Sequence, residues 1–256
     1  MYKVNLIKQT LFAALISLLA FSSCKKEKSE QPASSPKTLQ VAEFNDGADV
    51  TRFSYNADGT LKTILLSSDP VSTDDNVTYT VKYLANKKID ELTGSNGAKI
   101  KLSYNNAGSL AKSEAFIGTE KISQTEHTYT GTLLSATTIS VFDNNTPVPF
   151  FKSEFTFSSG NITRANILMY SPLTNKLEPA GHVLNQFDTK VNPLASLGDV
   201  MLIFWQAATK NNIVKQQYFD KLGNAEEVIE TTYTYNAQGY PVSATMRETA
   251  PGQQPS

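Results

Sequence analysis

The chain has 256 residues, 40% apolar and 18% charged, the balance of a soluble globular protein with room for one large β domain or two smaller ones. A formal net charge of −1 excludes general electrostatic attraction to nucleic acid or acidic lipid. A single cysteine and two histidines exclude an internal disulfide framework and leave few ligands for a transition metal.

Residues 1–23 read as a targeting segment outside the fold. Lys3 and Lys8 form a basic start, and Leu11–Phe21 is an apolar run of about secretory length, short of the roughly 20 apolar residues of a membrane span. The run ends Leu19-Ala20-Phe21-Ser22-Ser23-Cys24, small residues followed by the chain's only cysteine. This resembles the lipobox of bacterial lipoproteins, although Phe21 stands where Leu, Val or Ile is usual. The resemblance implies that the Cys24 thiol is diacylated and that the mature chain begins there, with a net charge of −3 once Lys3 and Lys8 are removed. Residues 24–38 are charged and then rich in Ser and Pro, which cannot bury a core. They read as a disordered tether between membrane and domain. Lys25-Lys26-Glu27 only weakly matches the acidic display signal of some Bacteroidetes lipoproteins and leaves the membrane face open.

Residues 39–248 read as a single β-repeat domain. In Thr51–Ile64, Phe53 and Tyr55 alternate with polar residues as one strand face does, and Asn56-Ala57-Asp58-Gly59 supplies a tight turn. The same pattern recurs at Lys101–Ser113 and Thr232–Ala244, and more weakly at Glu126–Ala136 and Ser153–Ala165. The aromatics before the turns, Tyr55, Tyr83, Tyr104, Tyr129 and Phe157, lie 28, 21, 25 and 28 residues apart, one hairpin plus its connection per repeat. Gly59, Gly108 and Gly239 are expected at positive φ, where a β-branched substitute would be strained. Ser67–Asn76, Gly94–Gly97 and Asp143–Pro149 read as surface connections. Asn192 is a good N-cap before Pro193, and Leu194, Leu197, Val200, Met201 and Phe204 follow at helical spacing. This predicts one helix over Pro193–Trp205, capping the sheet. A hairpin over Asn212–Tyr235 and a last repeat follow, with residues 249–256 as a frayed tail. The expected fold class is all-β: an antiparallel hairpin-repeat meander forming a curved sheet or open barrel, with one short helix.

The segments Phe53–Gly59, Leu102–Gly108 and Tyr233–Gly239 carry an aromatic (or Leu)-x-Tyr-Asn-x-x-Gly motif similar to YD/RHS-type repeats. With the lipobox and the Phe187–Pro193 segment, most of Val41–Met246 resembles the uncharacterised repeat-containing envelope lipoproteins of Bacteroidetes. The resemblance implies a lipid-anchored envelope protein with a curved antiparallel sheet, and it transfers no catalytic residue. Tyr-Asn replaces the Tyr-Asp of true YD repeats, and the chain is too short to build a toxin-encasing shell.

The residues themselves offer little chemistry. His127 reads as a surface strand residue and His182 as a loop residue, neither with a metal-ligand partner in sequence. No G-x-S-x-G occurs, no glycine-rich phosphate loop is present, and basic residues are scattered. No cofactor, metal or nucleic-acid partner is therefore expected. The recurring aromatics remain. A helix of about 13 residues spans roughly 20 Å, too little to cover every hairpin at about 4.8 Å per strand. Either the sheet curls over its own aromatic face or part of that face stays open. The expectation is a groove lined by some of Tyr55, Tyr104, Tyr129, Phe157 and Tyr235 that takes an apolar or carbohydrate ligand without chemistry. The alternative is a hydrolase acting on envelope or dietary glycan, which requires two carboxyls roughly 5–9.5 Å apart.

Overall fold

The computed structural model describes residues 40–45, 49–67, 76–143, 146–204 and 209–249. Residues 1–39 with Cys24, the greater part of the Ser67–Asn76 connection, Trp205 and the tail beyond Thr249 lie outside them. The domain is one antiparallel meander of 15 strands, each hydrogen-bonded to its neighbours in sequence. Its first seven strands are β1 (Glu43–Asn45), β2 (Val50–Tyr55), β3 (Leu61–Ser67), β4 (Val77–Tyr83), β5 (Ile89–Gly94), β6 (Ala98–Tyr104) and β7 (Leu110–Ile117). Longer strands follow: β8 (Glu120–Thr130), β9 (Leu133–Asp143), β10 (Thr146–Ser158), β11 (Asn161–Ser171) and β12 (Lys176–Val191). After a helical segment come β13 (Asn211–Asp220), β14 (Ala225–Tyr235) and β15 (Pro241–Thr249). Among the described residues β1 and β15 do not pair, so the sheet is not closed.

One turn geometry explains the repeat. In Asn56–Thr60 the amide of Gly59 donates to the Asn56 carbonyl at 3.0 Å and that of Asn56 to the Thr60 carbonyl at 2.8 Å. The residue at the Gly59 position must then take positive φ. The pattern repeats around Gly108, Gly223 and Gly239, and once around Lys87, whose φ of 64° is strained for a residue with a Cβ. At Gly59, Gly108 and Gly239 φ is 84°, 79° and 82°. Just past the turns, each returning strand leaves one residue unpaired: Lys62, Asp90, Ala111, Ser135, Thr163 and Val242. These bulges raise the local twist and bend the sheet.

The Asp143–Pro149 segment, expected as a loop, is mostly strand, with Thr146, Pro147, Val148 and Pro149 opposite Asp143, Phe142, Val141 and Ser140. Thr146 and Val148 can carry the ladder bonds to β9. Pro147 and Pro149, of the other parity, face the side where β11 has not begun, because its pairing starts at Phe151↔Met169. Two prolines are thus tolerated where no neighbour needs their missing donors.

The predicted helix is real but broken. Asn192 caps it by accepting from the Leu194 amide at 3.0 Å, a 3-10 turn covers Pro193–Leu197, and α1 covers Asp199–Phe204. Gly198, at φ 52°, separates the two pieces because its left-handed backbone cannot continue a right-handed helix. Leu197, Val200 and Met201 are buried with Phe44, Phe53, Leu61, Ile64, Leu92, Leu102 and Leu110 in a single core. Tyr79 packs on Phe204 with ring centroids 5.2 Å apart.

That contact dictates curvature. The helical segment is attached to β12 and β13, yet it packs on β2–β7. Laid flat, β3 and β12 would be about 43 Å apart at 4.8 Å per strand, and twelve helical residues span roughly 20 Å. The sheet must therefore curl back over the helix. Backbone and side-chain amides fix the hinge of this excursion. Asn161 and Asn211 bond reciprocally at 3.0 and 2.9 Å, the Asn192 amide donates to the Lys210 carbonyl at 3.0 Å, and the Asp188 carboxylate accepts from the Asn212 amide at 3.1 Å and from Tyr235.

Candidate functional site

Side chains directly opposite on paired strands share a face, so the register traces one face across the whole sheet. From the helix-covered pair Phe53↔Ile64 it passes through Tyr79, Val81, Leu92, Ile100, Leu102, Ser113, Thr125 and Ile139. It continues through Phe151, Ser153, Ile167, Ala165, Val183, Asn185, Gln216 and Tyr218. Its chemistry changes along the chain. Two residues before the hairpin-end aromatics Tyr55, Tyr83, Tyr104, Tyr129 and Phe157 stand Phe53, Val81, Leu102, His127 and Phe155, and Asn185 stands two before Phe187. Three residues after Leu61, Ile89, Leu110, Leu134 and Ile162 on the returning strands stand Ile64, Leu92, Ser113, Thr137 and Ala165.

The later half of the face holds a cavity of about 220 Å³. Ile139, Phe151, Ala165, Ile167, Met169 and Val183 form its walls, and Ser153, Asn185, Gln216 and Tyr218 supply its polar atoms. Asn185 and Gln216 are committed to each other: Gln216 donates to Asn185 at 3.0 Å, and Asn185 donates to the Ile162 carbonyl at 2.9 Å. The Tyr218 hydroxyl has only a long 3.5 Å contact to Gln216. Burial, and then the charges of Glu227 and Glu248, push its ionisation up to about 12. At the rim, His182 stacks on Phe219 with centroids 4.6 Å apart, and Glu226 occupies the bulge between Tyr218↔Glu227 and Phe219↔Ala225.

The aromatics expected to line a groove do something more specific. Tyr55 donates to the Val41 carbonyl at 2.8 Å, Tyr83 to Leu61 at 2.9 Å, Tyr104 to Ile89 at 3.0 Å, Tyr129 to Leu110 at 2.8 Å and Tyr233 to Ile213 at 3.0 Å. Leu61, Ile89 and Leu110 are each the first residue after a hairpin turn, beside the bulge. Every such tyrosine therefore ties its own repeat to the preceding one, a bond of about 1 kcal/mol. At Ile162 the side chain of Asn185 replaces the tyrosine. Phe157 has no hydroxyl to offer the corresponding Leu134 carbonyl, and the ladder lapses there. All five expected residues are half-buried. Tyr235 bonds Asp188, and burial with that carboxylate raises its ionisation. Burial raises Tyr104 and Tyr129 as well, with Asp199 of α1 adding to both.

Tyr55 and Tyr83, with Asp58, Lys87, Lys88 and Asp199, line a second cavity of about 520 Å³ at the turn end of the first half. Its polar groups are engaged within the chain: the two tyrosines on carbonyls, Lys87 on Asp58 at 3.1 Å, and Lys88 on the Gly108 carbonyl. Among the described residues no group of three or more His, Cys, Asp and Glu is arranged to hold a metal, and no helix is long and apolar enough to cross a membrane.

His127, read from sequence as a surface residue, is buried, 6% exposed. Nδ1 meets the Thr137 hydroxyl at 3.0 Å, and Nε2 has no partner. Burial lowers its ionisation to about 4. The sequence argument missed Ile167, Asn185, Gln216 and Tyr218. The available signal was the change from aliphatic to polar residues at fixed offsets from the repeat aromatics.

Neither a protein-family model nor a curated protein matches the chain. Among solved structures it is similar to a porin-like protein from Bacteroides uniformis, with TM-score 0.53 and 15% identity, over 80% of this chain and 84% of that one. A porin-like protein from Bacteroides vulgatus has TM-score 0.49 and 13% identity, over 83% and 97% of the two chains. A DUF3836 family protein from Parabacteroides distasonis has TM-score 0.25 and 7% identity, over 49% and 87%. The first likeness is one of fold alone.

Proposed function

We propose that this is a cell-envelope protein, lipid-anchored to the outer membrane through Cys24, that binds a small apolar ligand without catalysis on the concave face of its sheet. The observation that carries the reading is the division of that face. The helix fills the first half, while the second half holds a cavity of about 220 Å³ with apolar walls and few polar atoms, the usual make-up of a small-molecule site. Walls with few free hydrogen-bonding groups favour an apolar ligand over a carbohydrate, which needs a dense set of hydrogen-bonding partners.

The alternative of a glycan hydrolase draws no support from this cavity. Glu226 is the single carboxylate among the described lining residues. Glu227 and Glu248 are not among those lining residues.

The anchor is tested by mass spectrometry of the mature N-terminus and by Cys24→Ala, which should release the protein into the soluble fraction. Binding is tested with indole as probe. Indole should raise the melting temperature of the protein, and Ile167→Trp, which fills the cavity, should abolish that rise while leaving the fold intact. Absence of any effect of indole on the unsubstituted protein would overturn the binding reading.

A further inference from the structure

The polar groups in the wall of this cavity are not all spent inside the protein. The Ile162 carbonyl can only accept, so the Asn185 side chain must present its nitrogen there, at 2.9 Å, and its oxygen to Gln216. Gln216 must then donate through its own nitrogen, at 3.0 Å, which leaves Oε1 facing Tyr218. Gln216 is only 7% exposed. Among the described residues the one partner of that oxygen is the Tyr218 hydroxyl at 3.5 Å, longer than the roughly 2.5–3.0 Å of an O–H···O bond. Both residues line the cavity. Burial, and then Glu227 and Glu248, push the ionisation of Tyr218 up to about 12, so its hydroxyl keeps its proton at neutral pH. The apolar wall begins beside this pair. Val183 lies directly opposite Tyr218, Ala165 directly opposite Val183, and Ile167 is the next residue along the same face. Val183 and Ala165 are thus one and two strands from Tyr218, roughly 5 and 10 Å.

We infer that the cavity takes a small neutral alcohol, one ring carrying one hydroxyl, with the ring against Val183, Ala165 and Ile167 and the hydroxyl between Gln216 and Tyr218. The inference rests on the reading of the cavity as a binding site and adds the ligand's polar group. A hydroxyl oxygen about 2.8 Å from each partner closes a triangle on their 3.5 Å separation. It donates to Gln216 Oε1, which can only accept, and accepts from the Tyr218 hydroxyl, so one overlong contact gives way to two of ordinary length. Other polar groups match the pair less well. An aldehyde accepts from Tyr218 but leaves the buried Gln216 oxygen without a donor. A carboxylate would find no Lys or Arg among the described lining residues. An ammonium would find one carboxylate there, Glu226, which is exposed at the rim and cannot offset the cost of burying the charge beside Gln216. Size agrees. A cavity of about 150 Å³ holds a benzene-sized molecule, so about 220 Å³ accepts one ring with a short arm.

The test uses three molecules of nearly equal shape: benzyl alcohol, which donates and accepts, benzaldehyde, which only accepts, and ethylbenzene, which does neither. Affinities are measured by calorimetry on the full mature chain carrying Cys24→Ser, so that no detergent competes. Benzyl alcohol should bind about fivefold more tightly than benzaldehyde, the worth of one neutral hydrogen bond. In Tyr218→Phe its affinity should fall by about the same factor, while ethylbenzene binds as before and shows that fold and cavity are intact. Benzaldehyde binding as tightly as the alcohol overturns the hydroxyl assignment and leaves the cavity reading standing. So does an undiminished affinity for the alcohol in a Tyr218→Phe protein that still binds ethylbenzene. If that variant binds no ethylbenzene, the alcohol and aldehyde on the unsubstituted protein decide alone. Binding of none of the three to the unsubstituted protein removes the cavity reading itself, and this inference with it.

Discussion

Strands β2–β7 and β8–β14 repeat one hairpin, in most repeats with a side chain on a carbonyl of the preceding one, yet their interiors differ. In the first half the inward positions are Phe53, Ile64, Val81, Leu92 and Leu102, with Ser113 at its edge, and the apolar ones close on Leu197, Val200 and Met201 of the helical segment. In the second half the same positions hold His127, Thr137, Phe155, Ala165, Asn185 and Gln216, and none of them belongs to the core that the described helical residues join. A repeat can therefore keep its backbone geometry while its inward side chains decide whether it builds core or cavity. Turn and bulge chemistry sets the former, and burial of apolar area the latter.

The sharpest way to break this comparison is to truncate one side chain in each half. Leu92 is fully buried beneath the helix, so Leu92→Ala should cost about 2–5 kcal/mol in urea unfolding. In the second half Thr231 is buried with its hydroxyl unpartnered. Thr231→Val should be neutral or stabilising by up to about 1 kcal/mol, because an unmet polar group is replaced by an apolar one of similar shape. Equal losses at the two sites would refute a core confined to the first half.

Acid should separate the halves next. Burial lowers His127 to about 4 from an ordinary 6.5, so the ring is neutral in the folded protein while the unfolded chain takes up a proton below about pH 6.5. Stability is therefore complete above that pH and falls as pH drops towards 4, by on the order of 3 kcal/mol. His127→Gln should flatten this part of the stability profile. An unchanged slope in that variant would show that the acid sensitivity lies elsewhere.

The smallest effects probe the seam. Tyr104→Phe removes the donor to the Ile89 carbonyl and should cost about 1–2 kcal/mol. Phe157→Tyr places a hydroxyl where the ladder lapses and should stabilise by up to about 1 kcal/mol. Thermal or urea midpoints read both, and destabilisation by Phe157→Tyr would mean that the Leu134 carbonyl is not the free acceptor that the register indicates.

The sequence by itself determined the meander, its turns and the existence of a capping helix, because these follow from local chemistry. Asn and Asp bond their own backbone at the turn, glycine takes positive φ, and alternation sets the strand faces. It also located Asn192 and Pro193 at the start of the helical segment. It did not reveal the break at Gly198, where an isolated glycine in a helical pattern is ambiguous, or the strand through Pro147 and Pro149, where tolerance depends on which neighbour is absent. The role of the tyrosines was likewise out of reach, since their acceptors lie 14 to 22 residues away in the chain. The cavity could be decided only in three dimensions. Which inward residues become core depends on where the segment between β12 and β13 comes to rest, and that is set by the accumulated curl of the strands between β3 and β12.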